Sequence, residues 1–455
     1  MIKRRVLSIL LMSTLTGCVS LAPHSSTLPE AGIPSNIGKS EHAQQDWHLS
    51  QLGWRGFFHD AQLLQLIESA LANNPDIQLA VLKTQESYLQ YGVEQSNRYP
   101  HITGQSSTTY TGQNQQQTAK NYKIDATISY ELDFFGRLNN LSQAQRARYL
   151  ATQEAQRNVY MLLVAQVAQA YLNEHIISQK QITLDKQLTN YQQALSLTAS
   201  RLVSGEATYL DYEQAKGMLE STKISQSELA QQRQLAHHTL QNLVNRYDVT
   251  ITPVKQPLQL EQSIPANVPS TVLLTRPDIL QAEHQLTAAN ADIGVARAAF
   301  FPSISLTGNV GNASTELADL LSGATLWDLV PKISLPIFNG KQNRLNLDLA
   351  NNRQQQAAIE YQKTLQNAFK EVADLLTLGQ SYHQQFELQQ RYLTTQQNAL
   401  ALSTQAYLNG SANYLTILDA QRNVLITQLA LLTLKQNQLT NQINLFIALG
   451  GGGQE

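Results

Sequence analysis

Cysteine occurs once in these 455 residues, as Cys18, so the chain cannot form an internal disulfide. Charged side chains are sparse, at 15% of the composition, and Gln, Asn, Ser and Thr supply most of the polar surface. That balance is unusual for a cytosolic enzyme and suits long helices in a wet assembly or strands lining a water-filled lumen. Lys3, Arg4 and Arg5 form the only basic cluster; without the first 17 residues the formal net charge moves from −2 to about −5. A chain this acidic is a poor nucleic-acid binder. Methionine is also scarce: beyond the leader only Met161 and Met218 remain, which argues against a thioether relay for copper or silver. No nucleophile, base and orienting residue group by motif, so no enzyme activity is expected. Asp133-Phe134-Phe135-Gly136 lacks the loops of a kinase, and His237-His238, His284 and His383 lack metal-ligand spacing.

The leader, residues 1–17, couples a basic start to an apolar stretch from Val6 to Leu15. That stretch is too short to span a bilayer, so it reads as an export signal. It ends in Leu15-Thr16-Gly17-Cys18, which resembles a bacterial lipoprotein box. Cleavage there would leave Cys18 as the first residue, carrying N-palmitoyl and S-diacylglycerol chains as its only prosthetic group. Val19, where an Asp would favour inner-membrane retention, points to the outer membrane. The plainer alternative is an ordinary signal peptide with an incidental cysteine.

The body of the chain repeats itself. Asn74-Pro75-Asp76-Ile77 returns as Arg276-Pro277-Asp278-Ile279, and Tyr99-Pro100-His101-Ile102 returns as Phe301-Pro302-Ser303-Ile304. Ile128-Ser129-Tyr130 echoes Ile333-Ser334-Leu335, and Leu202 to Leu210 echoes Tyr407 to Leu415. A duplication this long implies one architectural unit used twice.

Within each repeat the period changes. From Tyr122 to Leu132 the even positions are apolar or aromatic and the odd ones polar, the mark of a strand with one oily and one wet face. Strands are expected near 101–112, 121–132, 303–311 and 326–338. They are long enough to cross hydrocarbon when tilted. Four strands cannot close a barrel and open edges are not tolerated in lipid, so membrane insertion would require copies of the chain to pool their strands. A small soluble sheet packed on helices is the competing reading. Leu138 to Ser200 and Lys341 to Ala406 lack proline and predict helices of sixty-odd residues, on the order of 95 Å each. Their apolar residues keep heptad-like spacing, as in Tyr160, Val164, Val167 and Tyr171, which marks a packing seam.

The expected organisation is therefore a signal peptide (1–17), a lipidated tether (18–46) and a first repeat (47–250) with its hairpin tip near 201–209. A linker (251–275), a second repeat (276–449) with its tip near 407–414, and a flexible tail (450–455) follow. The fold class is α+β: long antiparallel helical hairpins with four membrane strands.

Taken together, these segments resemble the TolC-like outer membrane factor family, in particular the OprM- and NodT-type efflux lipoproteins. The residues that carry the resemblance are Asp60 to Leu79, Arg276 to Ile279, Ala296 to Gly308, Leu335 to Gly340 and Tyr414 to Asn423. The resemblance implies a homotrimer with a twelve-stranded barrel in the outer membrane and a periplasmic helical barrel. It also implies a periplasmic adaptor (membrane fusion protein) and an inner-membrane pump of the resistance-nodulation-division type. Drugs or other small molecules would leave passively through the duct. A type I secretion conduit and a poreless coiled-coil scaffold are the alternatives.

By the same resemblance, Leu415 and Asp419 form the periplasmic gate. Four residues apart, they share a helix face, so threefold symmetry would stack a leucine ring on a carboxylate ring. The alternative for Asp419 is a solvated acid paired with Arg422. Two positions depart from the TolC branch: Thr416 stands where a second acid is found, and Ala412 where the gate-linking arginine is found. Arg201, Leu202, Gly205 and Gly410 lie at the tip turns, where adaptor hairpins engage family members. The two glycines also have a local explanation as left-handed helix caps.

Overall fold

The computed structural model describes residues 20–23, 28, 32–38, 53–112, 119–251, 260, 267–322 and 325–452. Cys18, much of the expected tether and linker, and the end of the tail lie outside them. The elements in chain order are β1 (Asn36–Gly38), α1 (Trp54–Phe57), α2 (Ala61–Asn73), α3 (Pro75–Ser96), β2 (His101–Thr111) and β3 (Ala119–Leu132). Then come α4 (Arg137–Val203), α5 (Tyr209–Val244), β4 (Asn267–Pro269), α6 (Pro277–Ala298), β5 (Ser303–Ser314), β6 (Thr325–Ser334), α7 (Gln342–Leu408) and α8 (Tyr414–Ala448). Both α4 and α7 run for 67 residues. The fold class is α+β.

Local chemistry sets the boundaries. Asp60 caps α2, its carboxylate accepting the Leu63 N–H at 2.9 Å. Pro75 opens α3, where its missing N–H costs nothing. Asp133 accepts the N–H groups of Leu138 and Asn139 at 3.1 and 2.7 Å, so the acid of the kinase-like tetrapeptide starts a helix. The strand expected to run to 338 stops at Ser334, where its ladder with β5 ends opposite Ser303.

Two compact units cut across the repeats rather than following them: Met1–Ala31, Leu82–Ala155 and Asp278–Thr364 form one, Gly32–Val81, Gln156–Pro277 and Leu365–Glu455 the other. The first unit carries a four-stranded antiparallel sheet in the order β2-β3-β5-β6. Its register, Ile102↔Ile128↔Gly308↔Leu329 in one row and Thr103↔Thr127↔Asn309↔Asp328 in the next, gathers Ile102, Ile128, Val310, Trp327 and Ile333 on one face, while Leu326 and Val330 of β6 fall on the other. That face is bare in the chain: Trp327 is 77% exposed, Ile102 72% and Ile333 69%. The other face is laced with polar contacts, from Thr127 Oγ1 to Asn309 at 2.7 Å and from Asn309 Nδ2 to Asp328 at 2.9 Å. Lys123 pairs with Asp125 at 3.3 Å. Gly311 lies hard against the backbone of Ile124 and Asp125, leaving no room for a side chain. Among the described residues β2 and β6 each have a ladder on one side only.

The second unit holds the main apolar core. Trp54, Phe57, Phe58, Leu63 and Ile67 pack with Val164, Val167, Tyr171 and Leu172 of α4, Leu240 of α5 and Ile443 and Phe446 of α8. Phe57 and Phe446 stack at 4.0 Å between centroids. Each side chain of this size, fully buried, contributes roughly 1.5–3 kcal/mol. In the same unit the buried Glu174, 3% exposed, meets Arg233 of α5 at 2.7 Å. Within the expected tether, β1 pairs with β4 and Ile37 is buried.

Candidate channel tips and gate

Both hairpin tips of the second unit are built alike. At the first, Gly205 takes a φ of +78° and the Glu206 N–H returns to the Arg201 carbonyl at 2.8 Å. At the second, Gly410 takes +72° and the Ser411 N–H returns to the Ala406 carbonyl at 2.9 Å. These are left-handed caps, a conformation that glycine enters at no steric cost. Thr208 then opens α5 in a capping box with Asp211, and Asn413 opens α8 by accepting the Thr416 N–H at 3.1 Å. Thr416 also donates its hydroxyl to Asn413 at 2.8 Å, so the position that is acidic in the TolC branch serves as part of a helix cap here.

The two tips are joined. Arg201 Nη1 donates to the Tyr407 hydroxyl at 2.7 Å, with the guanidinium 5.3 Å from the ring centre. Tyr407 packs on Tyr414 at 5.6 Å. Below them Tyr191, Ala215, Leu219, Tyr414, Ile417 and Leu418 form a small apolar cluster. Burial pushes the phenols of Tyr191 and Tyr414 above the ordinary tyrosine range, so both stay neutral. The Arg201–Tyr407 contact was not foreseen from the sequence. The available signal was the repeat itself, which sets Tyr407 opposite Leu202.

Leu415 and Asp419 stand outside this cluster, one turn apart on α8. Leu415 is 41% exposed. Asp419 is half-exposed and meets Arg422 at 2.9 Å, the pairing that the spacing allowed. Leu202 is half-buried, and Gly205 and Gly410 are exposed at the turns. Away from the tips, His237 and His238 share a cleft with Glu174 and Arg233. Among the described residues no group of three or more His, Cys, Asp or Glu gathers to hold a metal.

A strand array with one bare apolar face, together with long hairpins with matched tips, marks the class of outer-membrane channel proteins. The sequence model described as "Outer membrane efflux protein" matches residues 66–246 and 268–451, and the chain belongs to that family. It is 42% identical over 451 residues to the "Cation efflux system protein CusC" of Escherichia coli (strain K12), covering 96% of this chain and 97% of that protein. It is 41% identical to the "Probable outer membrane lipoprotein SilC" of Salmonella typhimurium over 100% of both. A crystal structure of CusC superposes with a TM-score of 0.89 at 41% identity, covering 95% of this chain and 100% of that one. The chain is thus an outer-membrane component of an efflux system, as the resemblance implied.

Proposed function

We propose that three copies of this chain close a twelve-stranded barrel and form a passive exit duct, fed by a periplasmic adaptor and an inner-membrane pump. The observation that carries this reading is the open sheet. Its strands are 10–14 residues long, its outer face is apolar and its two edges lack partners among the described residues. In lipid such edges must be closed. Cys18 is the lipid anchor, Leu415 and Asp419 form the periplasmic constriction, and Arg201, Leu202, Gly205 and Gly410 present the adaptor-docking tips. Purified protein reconstituted in planar bilayers tests the duct: stepwise conductance from a trimeric species is expected, and a poreless scaffold would give none. Loss of toxin secretion without loss of drug tolerance in a deletion strain would instead favour a type I conduit.

Drugs or other small molecules are the cargo proposed. The likeness to CusC, a cation efflux system protein, favours cations as the second reading. Met161 is 2% exposed and Met218 packs against the tip cluster, so this chain sets out no methionine ladder for soft cations. Copper and silver tolerance of the deletion strain, measured beside antibiotic tolerance, separates the two cargoes.

A further inference from the structure

The residues just downstream of Cys18 are seated on the body. Ser20 Oγ donates to Asn140 Oδ1 at 2.8 Å, and Arg297 Nη1 donates to the Leu21 carbonyl at 3.0 Å. The Ala22 N–H turns back onto Ser20 Oγ at 3.4 Å. Asn140, in the first turns of α4, is fully buried, and its Nδ2 finds no acceptor among the described residues. Gly294 makes the space. A Cβ added there would sit 2.5 Å from Asn140 Nδ2 and 2.9 Å from the Ala22 nitrogen, closer than carbon can stand. Gly294 lies inside α6 without a positive φ, where glycine weakens a helix and alanine would strengthen it. The close approach of residues 20–22 is the physical reason for a glycine at this position.

We propose that Asn140, Gly294 and Arg297 form a receptor for this chain's own lipidated amino terminus, fixing the anchor at the base of the sheet. The proposal rests on acylation of Cys18. Its place follows from connectivity. Asn140 comes just after β3 ends at Leu132, Arg297 comes just before β5 begins at Ser303, and Leu132 pairs with Ile304. Only Val19 lies between Cys18 and Ser20, and two residue steps reach about 7 Å at most. Acyl chains on Cys18 therefore enter lipid beside these strand ends rather than from a free leash. Asn140 Nδ2, without an acceptor among the described residues, is a ready donor for a carbonyl of the seated terminus. Receptor and sheet belong to one compact unit.

The test is a proximity trap in the full-length acylated protein, since Cys18 carries lipid and contributes no free thiol. Ser20→Cys with Asn140→Cys, treated with oxidant or a short bis-maleimide, should link in most molecules. Adding Gly294→Leu, which fills the space of the Ala22 backbone, should cut the yield at least about fivefold. Arg297→Gln, which removes the Leu21 donor without adding bulk, should lower the yield while the sheet keeps its heat-modifiable mobility on gels. A pair that fails to link in the otherwise native chain, or linking unaffected by both further changes, overturns the receptor. Intact mass decides the lipid separately: an unacylated Cys18 in a chain that still links would overturn the anchor reading while sustaining the seat.

Discussion

Replacing Asp419 separates the two roles the sequence allowed it. Its ion pair with Arg422 spans 2.9 Å, with both side chains about half-exposed. Exposed pairs one helical turn apart stabilise by about 0.3–0.5 kcal/mol, so Asp419→Ala should leave folding within about 0.5 kcal/mol of the parent. Arg422→Ala removes the same pair and should cost the same. Their effects on the pore should have opposite sign. On the proposed gate reading, Asp419→Ala removes a carboxylate from the constriction, and single-channel conductance should rise while cation preference falls. Without Arg422 the carboxylate stays and loses its local neutraliser, so cation preference should increase. Adding Leu415→Ala to Asp419→Ala should widen the leak further, because a half-exposed leucine outside the tip cluster leaves the core intact when shortened. Planar-bilayer reversal potentials in a salt gradient read the selectivity, and uptake of a large antibiotic by cells lacking the pump reads the leak. Indistinguishable selectivity in Asp419→Ala and Arg422→Ala would refute the gate and leave only a surface ion pair.

Two further outcomes follow from buried charge in the second unit. Arg233→Ala strands the Glu174 carboxylate, which is 3% exposed, and should destabilise the helical body by about 3 kcal/mol or more. Glu174→Met with Arg233→Met should recover most of that loss in a chemical denaturation series; a double variant no better than Arg233→Ala would contradict it. Burial pushes the His175 imidazole below the ordinary histidine range, against the opposing pull of Asp60 and Glu174. The folded state thus binds this proton less readily than the unfolded chain, so stability present above about pH 6.5 should fall as pH drops from there through the lower folded value. His175→Asn should flatten that part of a melting-temperature profile, and an unchanged slope would assign the pH dependence to other groups.

The sequence was most legible where one face of an element is bare. Tyr122 to Leu132 alternates without a break because one side of β3 meets lipid and the other water, and no tertiary neighbour overrides the pattern. The long helices were legible from the missing prolines. Three features were not. The β1–β4 pair is only three residues on each strand, too short to show any period, and joins a segment whose Ser and Pro content reads as a tether to one that reads as a linker. Glu174 sits within a run of helix whose spacing reads as an apolar seam; its partner Arg233 is on another helix, so no local rule couples them. The Arg201–Tyr407 bond likewise joins residues that only folding brings together. At the candidate gate, spacing alone put Leu415 and Asp419 on one face, and the ion pair it allowed with Arg422 is present. The gating role came from family likeness.

The duplication carries further than the single chain. Between the repeats, the last strand of the first (β3) pairs with the first strand of the second (β5), placing Ile128 opposite Gly308. A neighbouring copy can extend the same relation by setting β6 beside its own β2. Under the repeat correspondence Ile128 becomes Ile333, and Gly308 becomes Ser106. Quasi-equivalent closure therefore predicts Ile333 opposite Ser106 of the partner subunit, and both residues lie on the lipid face, as the pleat requires. Directly opposed strand residues are about 4.5–5.5 Å apart between Cα atoms, within the span of a disulfide. Ile333→Cys with Ser106→Cys should thus give covalent dimers and trimers on denaturing gels. Ile333→Cys with Gln105→Cys should not, because Gln105 faces the polar side. Preferential linking of Ile333→Cys with Gly104→Cys or Thr108→Cys would mean that the junction between copies keeps a register of its own, and the internal repeat would then be no template for closing the barrel.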